Sequence, residues 1–149
     1  MKRNNLLSVI LIMCSLSGCK KSDPDPVVNK GLSGNWAGDY QTQQAGSCSW
    51  SGPAVTATAT FQVVNNTVTA IVTQTAGPTS VPTQFTGTID GNTVSLSTAN
   101  SAICNGTPRS YISRFGGTIN GSTLTLVSRD TICPAQGCIF LKTIKLTRQ

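Results

Sequence analysis

Phe85-Thr86-Gly87-Thr88-Ile89-Asp90-Gly91-Asn92-Thr93-Val94-Ser95-Leu96 reads as one β-hairpin. Apolar and polar residues alternate on both sides of an Asp-Gly pair, and that pair supplies the positive φ a tight turn demands. The same unit returns thirty residues later as Phe115-Gly-Gly-Thr-Ile-Asn-Gly-Ser-Thr-Leu-Thr-Leu126. A third turn of this kind is expected at Asn65-Asn66. Turns at Asp90-Gly91, Asn120-Gly121 and Asn65-Asn66 would pair Phe85 with Leu96, Phe115 with Leu126 and Phe61 with Ala70. In each hairpin the apolar residues then share one face, with Thr and Ser on the other.

Working outward, Thr, Val, Ser and Gly dominate from Gly34 to Gln149, and no helical period appears. Strands are expected near 34–41, 55–64, 67–75, 83–89, 92–98, 109–119, 122–128 and 138–147. Tight turns close one end of this meander. Longer loops at the other end carry Cys48, Cys104, Cys133 and Cys138. Eight antiparallel up-and-down strands can close into a barrel and abolish their edges. A β-sandwich is the alternative that the alternation also allows.

The chain begins differently. Lys2 and Arg3 precede an apolar run, Leu6 to Met13, too short to span a bilayer, and then Leu16-Ser17-Gly18-Cys19. This segment resembles the lipobox of bacterial lipoproteins. The resemblance implies a signal peptide over 1–18, cleavage before Cys19 and acylation of Cys19. It also implies a stable anchor, since more than one acyl chain is attached. Residues 19–33 hold the lipidated Cys and a polar, Pro-bearing tether. Residues 34–149 form the barrel domain. Lys20-Lys21-Ser22-Asp23 after the Cys is similar to Bacteroidota lipoproteins and implies the outer membrane, with the choice of periplasmic or outer face left open. Asp130-Thr131-Ile132 resembles the short sites that Bacteroidota O-glycosylate.

Four cysteines remain after Cys14 leaves with the signal and Cys19 takes the lipid, an even set for an oxidising compartment. Cys133–Cys138 with Cys48–Cys104 is the favoured pairing. Cys104–Cys133 with Cys48–Cys138 stays open. No His supports a metal site, and no Cys-x-x-Cys supports thiol redox chemistry.

Charge narrows the function further. Without Lys2 and Arg3, nine of the 11 basic residues stand against five acids, for a net charge of +4. The domain's cations, Arg109, Arg114, Arg129, Lys142, Lys145 and Arg148, all fall in the last third of the chain. An anionic envelope partner would suit that asymmetry, as would a scatter of solvated strand charges. The compartment and the lack of an aromatic-basic stripe exclude nucleic acid. With no His, no Glu and no close carboxylate pair, no catalytic residue is assigned and no cofactor is expected. Asp90 reads as a turn residue, Asp39 as outward-facing and Asp130 as part of a loop.

Gly34-Asn35-Trp36 resembles the Gly-x-Trp signature of calycins, the superfamily of lipocalins and avidins. The resemblance implies that Trp36 plugs the closed end of the barrel, near Leu146, with Arg148 across it.

Binding is therefore the expected class. Strand parity places Tyr40, Gln74, Arg109, Tyr111 and Lys142 inward near the open mouth, with Trp50 in the loop above. Two converging cations, Arg109 and Lys142, would suit a small amphipathic or anionic ligand. Alternatively, Phe61, Phe85, Phe115, Leu124 and Leu126 fill the barrel and the polar chains reach out to water. The module would then work through its cysteine-bearing loops on an envelope protein or glycan.

Overall fold

A computed structural model of the chain describes residues 31–47 and 50–149. The lipobox, the tether up to Lys30 and Cys48 lie outside the described residues. The strands are β1 (Gly34–Gly46), β2 (Trp50–Ser51), β3 (Val55–Val64), β4 (Thr67–Ala76), β5 (Thr79–Asp90), β6 (Thr93–Cys104), β7 (Thr107–Asn120), β8 (Thr123–Cys133) and β9 (Cys138–Arg148). They follow one another in chain order around a single antiparallel sheet, and β1 pairs with β9 to close it. The domain is thus an eight-stranded up-and-down barrel of β1 and β3 to β9, with two-residue β2 paired beside β1. That closure rules out the sandwich.

Two of the three expected turns are displaced by one residue. Asp90 pairs with Thr93 and Asn120 with Thr123, so the turns are Gly91-Asn92 and Gly121-Ser122. Gly91 and Gly121 have φ of 55° and 60°, while Asn92 and Ser122 do not share the positive φ. A glycine at the first central position is the type II′ requirement, and here it outweighs the Asp-Gly and Asn-Gly signals. Phe85 and Leu96 therefore are not partners; Gly87 faces Leu96 and Gly117 faces Leu126. The displacement moves both strands together, so every side chain keeps its face. At Asn65-Asn66 both φ values are positive, 48° and 65°, and Phe61 pairs with Ala70 as expected.

The mouth differs more. Two of its expected long loops are two-residue turns, Gly77-Pro78 and Asn105-Gly106, and the strands run longer to meet them. Asn105 and Gly106 both have positive φ, 50° and 77°, the type I′ pattern. Asp130 lies in β8 rather than in a loop.

The closed half holds the core. Trp36, Phe61, Val63, Phe85, Ile89, Phe115, Leu124, Leu126, Ile144 and Leu146 are all buried there. Phe85 and Phe115, the repeated aromatics, meet edge to face at 5.4 Å. Gly87 and Gly117 fit because the neighbouring strand crosses closely: a Cβ on either would lie 1.9 Å from the Ser95 or Thr125 carbonyl oxygen. Trp36 is sealed under the closed end. Its indole N–H donates to the Leu32 carbonyl at 2.8 Å, and the Arg148 guanidinium lies 5.4 Å from its ring.

The open half is split. β5 pairs with β6 only from Thr86 to Asp90, and β7 with β8 only from Phe115 to Asn120. The β6–β7 ladder continues alone to Cys104 and Thr107. The distal halves of β6 and β7 therefore form an arm whose backbone pairs with neither neighbouring ribbon. Its inner face, with Ala102, Cys104 and Tyr111, packs with Ile132, Cys133, Cys138 and Phe140.

Candidate functional site: a buried ionic network behind a lateral cleft

β9 carries Lys142 inward on the face of Phe140, Ile144 and Leu146, and β8 carries Asp130 inward on the face of Leu126 and Ser128. The two meet. Lys142 Nζ lies 3.2 Å from Asp130 Oδ2, and both side chains are less than a tenth exposed. The arm completes the cluster. Lys142 donates to Ser113 Oγ at 2.6 Å and to the Tyr111 hydroxyl at 3.0 Å. Ser113 donates to Asp130 Oδ2 at 2.6 Å and accepts from Asn100 Nδ2 at 3.0 Å. Lys142 Nζ also lies 4.9 Å from the centre of the Tyr111 ring.

Lys142 and Ser113 are both saturated. The three ammonium protons have three oxygen partners, and Ser113 uses its one donor and two acceptor positions. Ser113 between a lysine and a carboxylate has the atoms of a nucleophile-base pair, and it is fully buried.

The expected mouth residues separate accordingly. Lys142 and Tyr111 come together, with Tyr40 buried nearby. Gln74 is half-buried on β4 opposite Val81. Arg109 is exposed and lines a different hollow of about 320 Å³, between the arm tip and the Pro134–Gln136 turn. The converging pair of cations is therefore not formed. Lys142 is matched by an acid that the sequence reading had placed in a loop. The parity of Leu124, Leu126 and Ser128 carries on to Asp130 and was the available signal.

Tyr40 contributes a testable electrostatic property. Burial pushes its phenol from 10.0 up to about 12, opposed by a hydrogen bond with Thr42 and aided by the charges of Tyr111 and Asp130. Between pH 10 and 12 the unfolded chain loses this proton while the folded one keeps it, so stability falls as pH rises. About 2–3 kcal/mol, fully present below pH 10, should be lost across that window. Urea melts at stepped pH should show this slope, and Tyr40→Phe should flatten it.

A covalent bond holds the arm over the network. Cys104 and Cys133 form a disulfide with Cα atoms 5.7 Å apart, joining the arm tip to the end of β8. The favoured Cys133–Cys138 bond is thus replaced by the pairing left open, because the longer strands bring Cys104 to Cys133. Cys138 is also disulfide-bonded, while Cys48 lies outside the described residues. A closed loop of 29 residues is worth roughly 3–4 kcal/mol by chain entropy. The double mutant Cys104→Ala/Cys133→Ala should lose about that much in denaturant melts.

The split between β5 and β6 leaves a lateral cleft of about 610 Å³. Pro82, Thr83, Gln84 and Thr86 line one side, and Ser97 to Asn100 with Ile112 line the other. None of these is charged. Asn100 reaches from the cleft to Ser113, so the cleft abuts the ionic network. Sequence reasoning missed this opening, although Pro82 inside a strand signals an edge. No protein-family model, curated protein or solved structure matches this chain.

Proposed function

We propose that this chain is a bacterial outer-membrane lipoprotein whose barrel is a non-catalytic protein-interaction module. Cys19 carries the lipid, and the working surface is the uncharged cleft between β5 and β6. The observation that supports this reading best is the match of Lys142 with Asp130 under the pinned arm. It removes the unbalanced charge that motivated a small anionic ligand in the mouth. A roomy opening remains at the side of the barrel, within the usual size of binding sites.

Two measurements test the reading. Cys19→Ser should abolish fatty-acid labelling and release the chain from membranes; continued labelling would refute the anchor. A photo-crosslinking residue at Gln84 or Ala99 should capture a protein in the native envelope, and one at exposed Lys145, on β9 and away from the cleft, should not. Equal capture at all three positions, or capture of glycan alone, would refute the protein-interaction reading.

A further inference from the structure

We propose that the free edge of β6 takes up an extended, uncharged polypeptide segment as an added strand within the lateral cleft. This rests on the protein-interaction reading and specifies how the partner is held.

The argument starts from the ladders. Asp90–Thr93 flanks a two-residue turn and is a hydrogen-bonded pair, as are Thr88–Ser95 and Thr86–Ser97 by alternation. Continuing along β6, the amide N–H and C=O groups of Ala99, Ser101 and Ile103 point toward β5. There β5 no longer pairs with them. The opposite sides of these residues adjoin β7, which stays paired to the turn. All three residues are exposed, Ile103 by 72%.

The other free edges in the split half are guarded. By the same alternation Pro82 turns its ring nitrogen from β5 toward β6, and Pro108 turns its own from β7 toward β8. Arg114 and Arg129 sit at the two edges of the β7–β8 split. Proline and charge are the usual means of blocking strand addition. The β6 edge has neither: Ala99, Ser101 and Ile103 present three donors and three acceptors.

These groups recur at every second residue, a period of about 6.8 Å that an extended backbone matches. The chemistry of the walls sets the side chains. Small polar residues of the segment suit Thr83, Thr98 and Asn100 on one face. β-branched residues suit half-exposed Ile112 on the other, and exposed Ile103 farther along β6 beyond the cleft wall. No wall residue is charged, so a charged segment would be desolvated without a partner. β5 closes the far side of the cleft. A second copy's β6 would bring its own sheet against that wall, whereas a single segment would not.

The test uses full-length protein in detergent. A displayed heptapeptide library of Ser, Thr, Val, Ile and Gln is selected on it, and the recovered peptides are synthesised. Amide exchange should slow at Ala99, Ser101 and Ile103 when they bind. Ser101→Pro removes a donor that the β6–β7 ladder does not use, and should weaken binding about tenfold. N-methylation of the peptide at alternate positions should weaken binding about as much, while methylation at the interleaved positions should have little effect. This alternation is read on the unaltered protein, so it holds even if Ser101→Pro folds poorly. Failure to recover peptides, equal effects at all methylated positions, or a dimer that Ser101→Pro dissolves would overturn the proposal. Photo-crosslinking at the cleft without strand addition would leave the protein-interaction reading standing and sink only this one.

Discussion

Lys142→Ala should destabilise the barrel by about 3–5 kcal/mol, the usual cost of leaving one partner of a buried ion pair uncompensated. Asp130 would be left with one short bond from Ser113 and no cation beside it, in a site less than a tenth exposed. Asp130→Ala should cost a similar amount for the mirror reason. The informative variant is the double replacement, Lys142→Met with Asp130→Leu. It removes both desolvated charges, and such exchanges are often neutral or stabilising. Ser113 would then lose its acceptor, a debit of roughly 1–3 kcal/mol. The double mutant should therefore lie within about 1–3 kcal/mol of wild type, well above either single mutant, and the cycle should be strongly non-additive. Urea melts of the four proteins decide this. Additive losses would show that the two groups do not depend on each other.

The residues of this network also mark where sequence reading stops. Hairpin periodicity identified which strands are neighbours and which side chains face inward. It survived displaced turns because face depends only on parity. Trp36 and Arg148 met as the Gly-x-Trp resemblance implied. Periodicity cannot tell how far two strands stay paired. β5 leaves β6 beyond the Thr86–Ser97 pair, although β5 begins as early as Thr79 and β6 runs on to Cys104. The split, the arm and the cleft were therefore invisible to pattern, although Pro82 and Pro108 hinted at them. Asn105-Gly106 was a legible turn signal, but the expected strands stop at 98 and resume at 109, which leaves it inside a longer loop. Arg109 failed as a mouth residue because the arm that carries it departs from the barrel wall.

Trp36→Ala should be the most damaging change at the opposite end. Trp36 is 1% exposed and the largest of the fully buried side chains. It meets Phe61 edge to face at 6.2 Å, and Arg148 covers its other side. Truncation removes a buried aromatic and leaves a cavity under the closed end, at about 3–5 kcal/mol. It also strands the Leu32 carbonyl, which now accepts from the indole N–H. Leu32 is itself fully buried, so the segment entering β1 should loosen along with the plug. Trp36→Phe separates the two contributions. It keeps most of the apolar volume and loses the hydrogen bond, so it should recover more than half of the deficit while Leu32 stays less protected in amide exchange. Arg148→Met keeps the cover but removes its charge and its hydrogen bond to the Ser33 carbonyl, and should cost about 1–2 kcal/mol from the cation–π contact and that bond together. Equal melts for Trp36→Ala and Arg148→Met would mean that the plug carries little of the stability. The core would then have to be held by the repeated aromatics, Phe85 and Phe115, in the middle of the barrel.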